Sequence, residues 1–200
     1  MNINYDQKMN EIINGLTSKK KLLIHSCCGP CSSYVIEYLA NYFDITILYF
    51  NSNIYPKEEY LKRFNEQKRL IEKFHNDIKL VEIGYDYDEY LEYISGHEND
   101  FEGGQRCHLC YEYRLNKASI YAKDNGFDYF TTTLSVSPYK DSKVLNAIGK
   151  SLEDKYGVKY LFSDFKKKDG YKRSIELSKK YNLYRQNYCG CEFSMPKLSK

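Results

Sequence analysis

No stretch of this chain is long and apolar enough to span a bilayer. Its first residues, MNINYDQKMNEIINGL, hold neither a long apolar run nor a small-residue cleavage site, so no signal peptide is expected. A strong excess of either charge is missing too. The formal net charge is +3 at pH 7, weak ground by itself for a nucleic-acid partner. Seven cysteines are an odd number, which argues against a framework built only of disulfides. The expected compartment is therefore a reducing cytoplasm, where thiols stay free for metals or redox work. Tryptophan is absent and tyrosine abundant, at 22 residues, so a stacking surface for bases can use tyrosines. Their abundance, alongside Asn, Lys and Ile, also fits a codon-composition bias.

Hydrophobic residues at 42% and charged residues at 28% are ordinary for a globular protein of 200 residues. That length fits a single catalytic domain over 1–200, with 1–18 as an N-terminal extension. Short apolar runs read as strands at Lys21–Ser26, Asp44–Phe50, Lys79–Gly84, Tyr129–Thr133 and Val158–Phe162. Between them, helical spacing predicts helices over Ser32–Tyr42, Pro56 to about Asn76, Asp86–Ile94, Tyr111–Asn125 and Asp141–Tyr156. A basic helix follows near Gly170–Tyr181. Alternation of this kind implies an α/β class, a Rossmann-like three-layer sandwich around a mainly parallel sheet. Ligands in such sheets sit beyond the carboxyl ends of the strands. Cys27-Cys28 follows the first strand and Thr133–Pro138 follows the fourth, which puts both on one rim.

The cysteines fall into three tight groups: Cys27-Cys28-Gly-Pro-Cys31, Cys107-His-Leu-Cys110 and Cys189-Gly-Cys191. A Cys-x-x-Cys turn points two sulfurs one way, and two such elements form a four-thiolate site for zinc or for a 4Fe-4S cluster. Zinc ribbons place their pairs close in sequence, unlike these. Adjacent Cys27 and Cys28 suit two irons of one cluster better than one ion. Cys31, one helical turn on, can ligate the cluster, ligate a second ion or stay free. Gly190 permits an unusual backbone, so Cys189 and Cys191 can close a small strained disulfide suited to redox cycling, or serve as extra ligands. His25 reads as a packed core histidine, and His108 as either ligand or bystander. Asp141 can donate a proton or cap the following helix. Lys166, Lys167, Lys168, Lys172 and Arg173 form a basic stretch, either a solvated face or a phosphate-binding patch.

Four segments in order, LLIHSCCGPC from Leu22, CHLCYEYRL from Cys107, TTTLSVSPYKD ending at Asp141, and YCGC ending at Cys191, resemble the QueH-type epoxyqueuosine reductases. The likeness runs from about residue 20 to 195. It implies an adenine-nucleotide-alpha-hydrolase-like fold, the HUP or PP-loop layout of ATP pyrophosphatases. Those enzymes carry a Ser-Gly-Gly phosphate loop after strand one, where this chain has Cys-Cys-Gly-Pro-Cys. The resemblance further implies a 4Fe-4S cluster on Cys27, Cys28, Cys107 and Cys110, with no cobalamin. Cys189 and Cys191 would be a redox-active pair. Cys31 is the candidate holder of an additional iron near the substrate. The implied substrate is tRNA with epoxyqueuosine at the wobble position, reduced with electrons from a separate donor, without a membrane partner. The basic stretch would then hold tRNA phosphates. Competing readings are an iron–sulfur tRNA sulfur-transfer enzyme, a zinc-stabilised nucleic-acid-binding module and a thiol oxidoreductase using Cys189 and Cys191 alone.

Overall fold

The apolar runs pair side by side into one sheet. The computed structural model describes residues 3–74 and 77–195. Five strands, β1 (Lys20–Ser26), β2 (Phe43–Tyr49), β3 (Lys79–Glu82), β4 (Tyr129–Thr132) and β5 (Lys159–Tyr160), lie in the order β3-β2-β1-β4-β5. Every pairing is parallel, with Ile24 of β1 opposite Ile47 of β2 and Thr131 of β4. Leu22, Leu23 and Ile24 are wholly buried in succession. A continuous apolar run, rather than an alternating one, is what a parallel strand covered on both faces requires.

Seven α-helices among the described residues surround the sheet: α1 (Tyr5–Asn14), α2 (Gly29–Leu39), α3 (Lys57–Ile71), α4 (Tyr87–Tyr93), α5 (Gln105–Asp124), α6 (Ser142–Tyr156) and α7 (Gly170–Lys180). On one face, Val35, Ile36 and Leu39 of α2 pack with Leu22, Ile24 and Ile47. On the other, Leu115 and Ala118 of α5 and Leu145 and Leu152 of α6 pack on Leu23, Leu48 and Phe130. Gly149 lets α6 lie close on the sheet, since a Cβ there would collide with the Tyr160 ring. The first eighteen residues carry α1, whose Met9 and Ile13 join the α2 side of the core.

Two helix starts differ from expectation, and both matter to the site. α2 begins at Gly29, three residues early, with Pro30 in its first turn; proline fits there because that N–H has no helical partner. α5 begins at Gln105 rather than Tyr111, after Gly104. Cys31, Cys107 and Cys110 are thus first- or second-turn helical residues. α3 closes at Ile71, with Glu72 as its cap; Asn76, the expected end, lies outside the described residues. No helix among the described residues is long and apolar enough to cross a membrane.

Candidate functional site

A cavity of about 290 Å³ opens at the carboxyl ends of β1 and β4. Cys27, Cys31, Cys107, Cys110, Cys189 and Cys191 all contribute to its wall. Cys28 is buried just behind, its Sγ 3.6 Å from that of Cys27. The three sequence groups therefore meet. All seven residues are free thiols.

The first group is the tightest. The sulfurs of Cys27, Cys28 and Cys31 lie within 4.8 Å of one another, the sole such cluster among the described residues. A buried polar frame holds it. Ser26 and Ser32 hydroxyls donate to Gln67 Oε1 at 2.7 and 2.8 Å, and Asn51 Nδ2 donates to the Ser26 carbonyl at 2.8 Å. Cys27 N donates to Thr133 Oγ1 at 3.2 Å, tying the turn after β1 to the one after β4. Gln186 Nε2 reaches Cys28 Sγ at 3.0 Å from the C-terminal segment. Hydrogen bonds from Cys28 and Cys31 hold the Cys27 thiol well below its usual range, against burial, with Arg114 and Thr133 assisting. Its partners move the other way: Cys28 is pushed up to about 12 and Cys31 well above its usual value. One thiolate on Cys27, shared by two thiols, is the arrangement this implies.

Cys107 and Cys110 ride one face of α5, an i, i+3 pair, and stand outside the 4.8 Å group. Gly103 N donates to Cys107 Sγ at 3.3 Å. Arg114, a turn beyond Cys110, is buried and donates to Asn51 Oδ1 at 2.6 Å, with Nη1 3.9 Å from Cys110 Sγ. Burial disfavours its charge, but Cys110 and Cys27 more than offset that and raise its pKa. His25 is a core histidine: Nε2 lies 3.0 Å from the Phe50 carbonyl and Nδ1 3.0 Å from Thr132 Oγ1. Burial, then the Arg114 charge, lower its pKa to about 3, so it is neutral. His108 is half-buried beside Tyr111 and is not part of the cavity wall.

Gly190 has φ +107°, the unusual backbone anticipated between the last two cysteines. Tyr55 N donates to the Gly190 carbonyl at 2.8 Å, and buried Arg63 Nη1 donates to the Cys189 carbonyl at 3.1 Å. The Cys191 hydrogen bond lowers the Cys189 pKa, opposed by burial and aided by Lys140; Cys191 itself is raised by the same bond. Ser194 Oγ lies 3.0 Å from Cys189 Sγ, and the Tyr90 hydroxyl 3.8 Å from Cys191 Sγ.

Asp141 caps α6, accepting from Lys143 N at 2.7 Å, and is exposed outside the cavity. Its neighbour Lys140 is the residue that enters the wall. Burial acts against the Lys140 charge, yet Cys189, Tyr111, Cys107 and Cys110 raise its pKa above the usual lysine value. The basic stretch is largely neutralised. Lys166 pairs with Asp164 at 2.9 Å, Lys168 with Asp6 at 3.0 Å, and Arg173 with Glu37 and Glu176 at 2.8 and 2.9 Å. Lys167 and Lys172 are exposed, with no ion pair among the described residues. None of the five borders the cavity. Arg63, Arg114 and Lys140 escaped the sequence reading because none belongs to a charge cluster or motif that marks it in sequence. The Cys110–Arg114 helical spacing was the one available signal.

The donor set suits a soft metal centre. Six sulfurs against one carboxylate, Glu102, match iron–sulfur or zinc rather than magnesium or calcium. Arg114 and Lys140 supply counter-charge for thiolates. Fold and site together define an α/β protein with a thiol-lined pocket at the carboxyl ends of parallel strands, its cysteine group able to hold a metal. The family model described as "Epoxyqueuosine reductase QueH" matches residues 22–197. Proteins of that name from Streptococcus pyogenes serotype M1 and Staphylococcus epidermidis are each 41% identical to this chain. These alignments cover 96% of this chain and 78% of the first relative, and 98% and 86% for the second. One from Staphylococcus aureus is 40% identical over 96% of this chain and 84% of its own. The chain belongs to the QueH family of epoxyqueuosine reductases.

Proposed function

We propose that this chain reduces epoxyqueuosine at the tRNA wobble position to queuosine, the last step in making that nucleoside. The epoxide takes up two electrons and two protons, leaving an alkene and water. The observation that carries this reading is the meeting of three distant cysteine groups in one cavity, in a chain of this family. The strand order β3-β2-β1-β4-β5 supports an adenine-nucleotide-alpha-hydrolase-like assignment, with the phosphate loop replaced by the cysteine turn.

Cys27, Cys28, Cys107 and Cys110 would hold a 4Fe-4S cluster, and Cys31 an additional iron. Such a cluster supplies single electrons at low potential when bound. Oxidation of the Cys189 thiolate and the Cys191 thiol to a disulfide releases two electrons and one proton, and a protonated Lys140 supplies the second proton the epoxide consumes. An external reductant then restores the dithiol. The low Cys189 pKa favours the thiolate that starts such a step. Lys140 holds a proton at Nζ within the same wall and offers it to the departing oxygen. Its position in the wall, beside an Asp141 held in its capping bond, supports Lys140 as the donor. The test is anaerobic incubation of iron-loaded protein and a strong reductant with epoxyqueuosine-containing tRNA, read by nucleoside mass spectrometry. Queuosine formation is expected. Zinc in place of iron, with no sulfide and no conversion after reconstitution, overturns the reading.

A further inference from the structure

The cavity, at about 290 Å³, is at the lower end of small-molecule sites. It can admit one modified base, and the rest of an anticodon loop must lie on the rim. Enzymes acting on a base in tRNA face the same problem: the extruded base leaves a gap in the stack, and neighbouring bases need a surface. Two rim residues meet that need.

Tyr139 is 79% exposed although it forms part of the cavity wall. Its ring makes no aromatic pair among the described residues, whereas Tyr111 and Tyr171 of the same wall each lie under a cation, Lys140 and Arg185. Its backbone is fixed: Tyr139 N donates to Ser137 Oγ at 3.3 Å and Lys140 N to the Ser137 carbonyl at 3.2 Å. The result is a free ring on a held loop, beside the lysine that enters the cavity.

Arg185 is the complementary charge. It borders the same cavity and is exposed. Nη1 donates to the Ser174 carbonyl at 3.3 Å and to Ser178 Oγ at 3.1 Å, and the guanidinium lies 5.7 Å over the Tyr171 ring. These partners orient it without neutralising it. Arg63, Arg69 and Arg173 each face a glutamate, while Arg185 has no carboxylate among the described residues. An oriented, unneutralised guanidinium at the rim suits a phosphate oxygen.

We propose that Tyr139 stacks on an unpaired base flanking the one drawn into the cavity, and that Arg185 holds a phosphate of the same loop. This rests on the tRNA reading above and assigns the contacts that serve it. Stacking on an aromatic side chain contributes about 1–3 kcal/mol per base, roughly a 5- to 150-fold change in affinity.

The experiment is fluorescence anisotropy of a labelled anticodon stem-loop on iron-loaded protein at several salt concentrations, a readout independent of turnover. Y139A is expected to weaken binding at least 5-fold and Y139F to restore it. R185Q is expected to weaken binding and lower the salt slope by about 1. Thermal melts confirm that each variant is folded. Y139A binding as tightly as the parent overturns the stacking assignment, and an unchanged salt slope in R185Q overturns the phosphate contact. Tight stem-loop binding without epoxide conversion defeats the reductase reading alone; failure of the parent to bind any stem-loop defeats both.

Discussion

Gly190 is where a single methyl group tests how the last two cysteines are held. At φ +107° an L-residue is strained by about 1–3 kcal/mol. An alanine Cβ would also stand 2.8 Å from Arg63 Nη1 and 3.0 Å from Ile54 Cγ1. Arg63 cannot yield easily, because it is buried, paired with Glu59 at 2.6 Å and bonded to the Cys189 carbonyl. Overpacking of this kind costs about 1–3 kcal/mol more. A total of roughly 2–6 kcal/mol falls on a turn near the chain end, so local detachment gives way before the sheet does. At about 4 kcal/mol the opening equilibrium rises on the order of 10³-fold. Cys191 is only 6% exposed and reports that opening. Anaerobic iodoacetamide labelling of the reduced protein, mapped by peptide mass spectrometry, should show Cys191 in G190A reacting at least about 10-fold faster. The urea midpoint should move less than a global loss of that size demands. Parent-like labelling at Cys191 in G190A refutes the argument.

Other outcomes follow from the same geometry. Serine at Cys27, Cys28, Cys107 or Cys110 should lower bound iron and sulfide by direct analysis, while serine at Cys189 or Cys191 should leave both in place and stop turnover. K140M should cut the single-turnover rate by about 10²-fold or more with iron content unchanged; an unaltered rate removes Lys140 from proton delivery. His25, lowered to about 3 in the fold, stays neutral there while the unfolded chain titrates near 6.5. Its contribution to stability is therefore complete above about pH 6.5 and declines as pH falls toward 3, by about 3 kcal/mol at pH 4.5. Urea melts of H25Q should show a flatter loss across that window than the parent. Charge reversal at Lys167 and Lys172, the exposed members of the basic stretch without an ion pair among the described residues, should weaken tRNA binding and reduce its salt slope by about 2. Gel shifts at graded salt that match the parent discard that patch.

What was legible in the chain divides by cause. The sheet was legible because parallel strands buried on both faces read as unbroken apolar runs, as in KLLIHS and DITILYF. Even β5, two residues long, was preceded by a helix and glycine that marked it. Helix starts were harder. Cysteine resembles neither a cap nor a helix former, so α2 and α5 seemed to begin after their cysteines, whereas both begin before Cys31 and Cys107. The sulfur groups were legible because their chemistry is written in residue type.

The counter-charges were not, because their meaning depends on where the fold aims them. Lys140 and Asp141 make the point as a pair. Both lie in the SPYKD segment, and the carboxylate drew attention as a proton donor. Asp141 instead accepts from Lys143 N and begins α6. That bond fixes the loop between the turn after β4 and α6, with Lys166 Nζ 3.3 Å from the Lys140 carbonyl on its other side. With its backbone clamped at both ends, the loop directs the Lys140 side chain toward Tyr111, 5.6 Å from the ring, beside the cysteines of α5. A cap on one residue thus places the charge of the residue before it. The consequence is specific: Asp141→Ala should weaken Lys140-dependent turnover while D141N or D141S, which retain a capping oxygen, preserve it. Equal loss in all three variants would show instead that the carboxylate itself takes part in the chemistry.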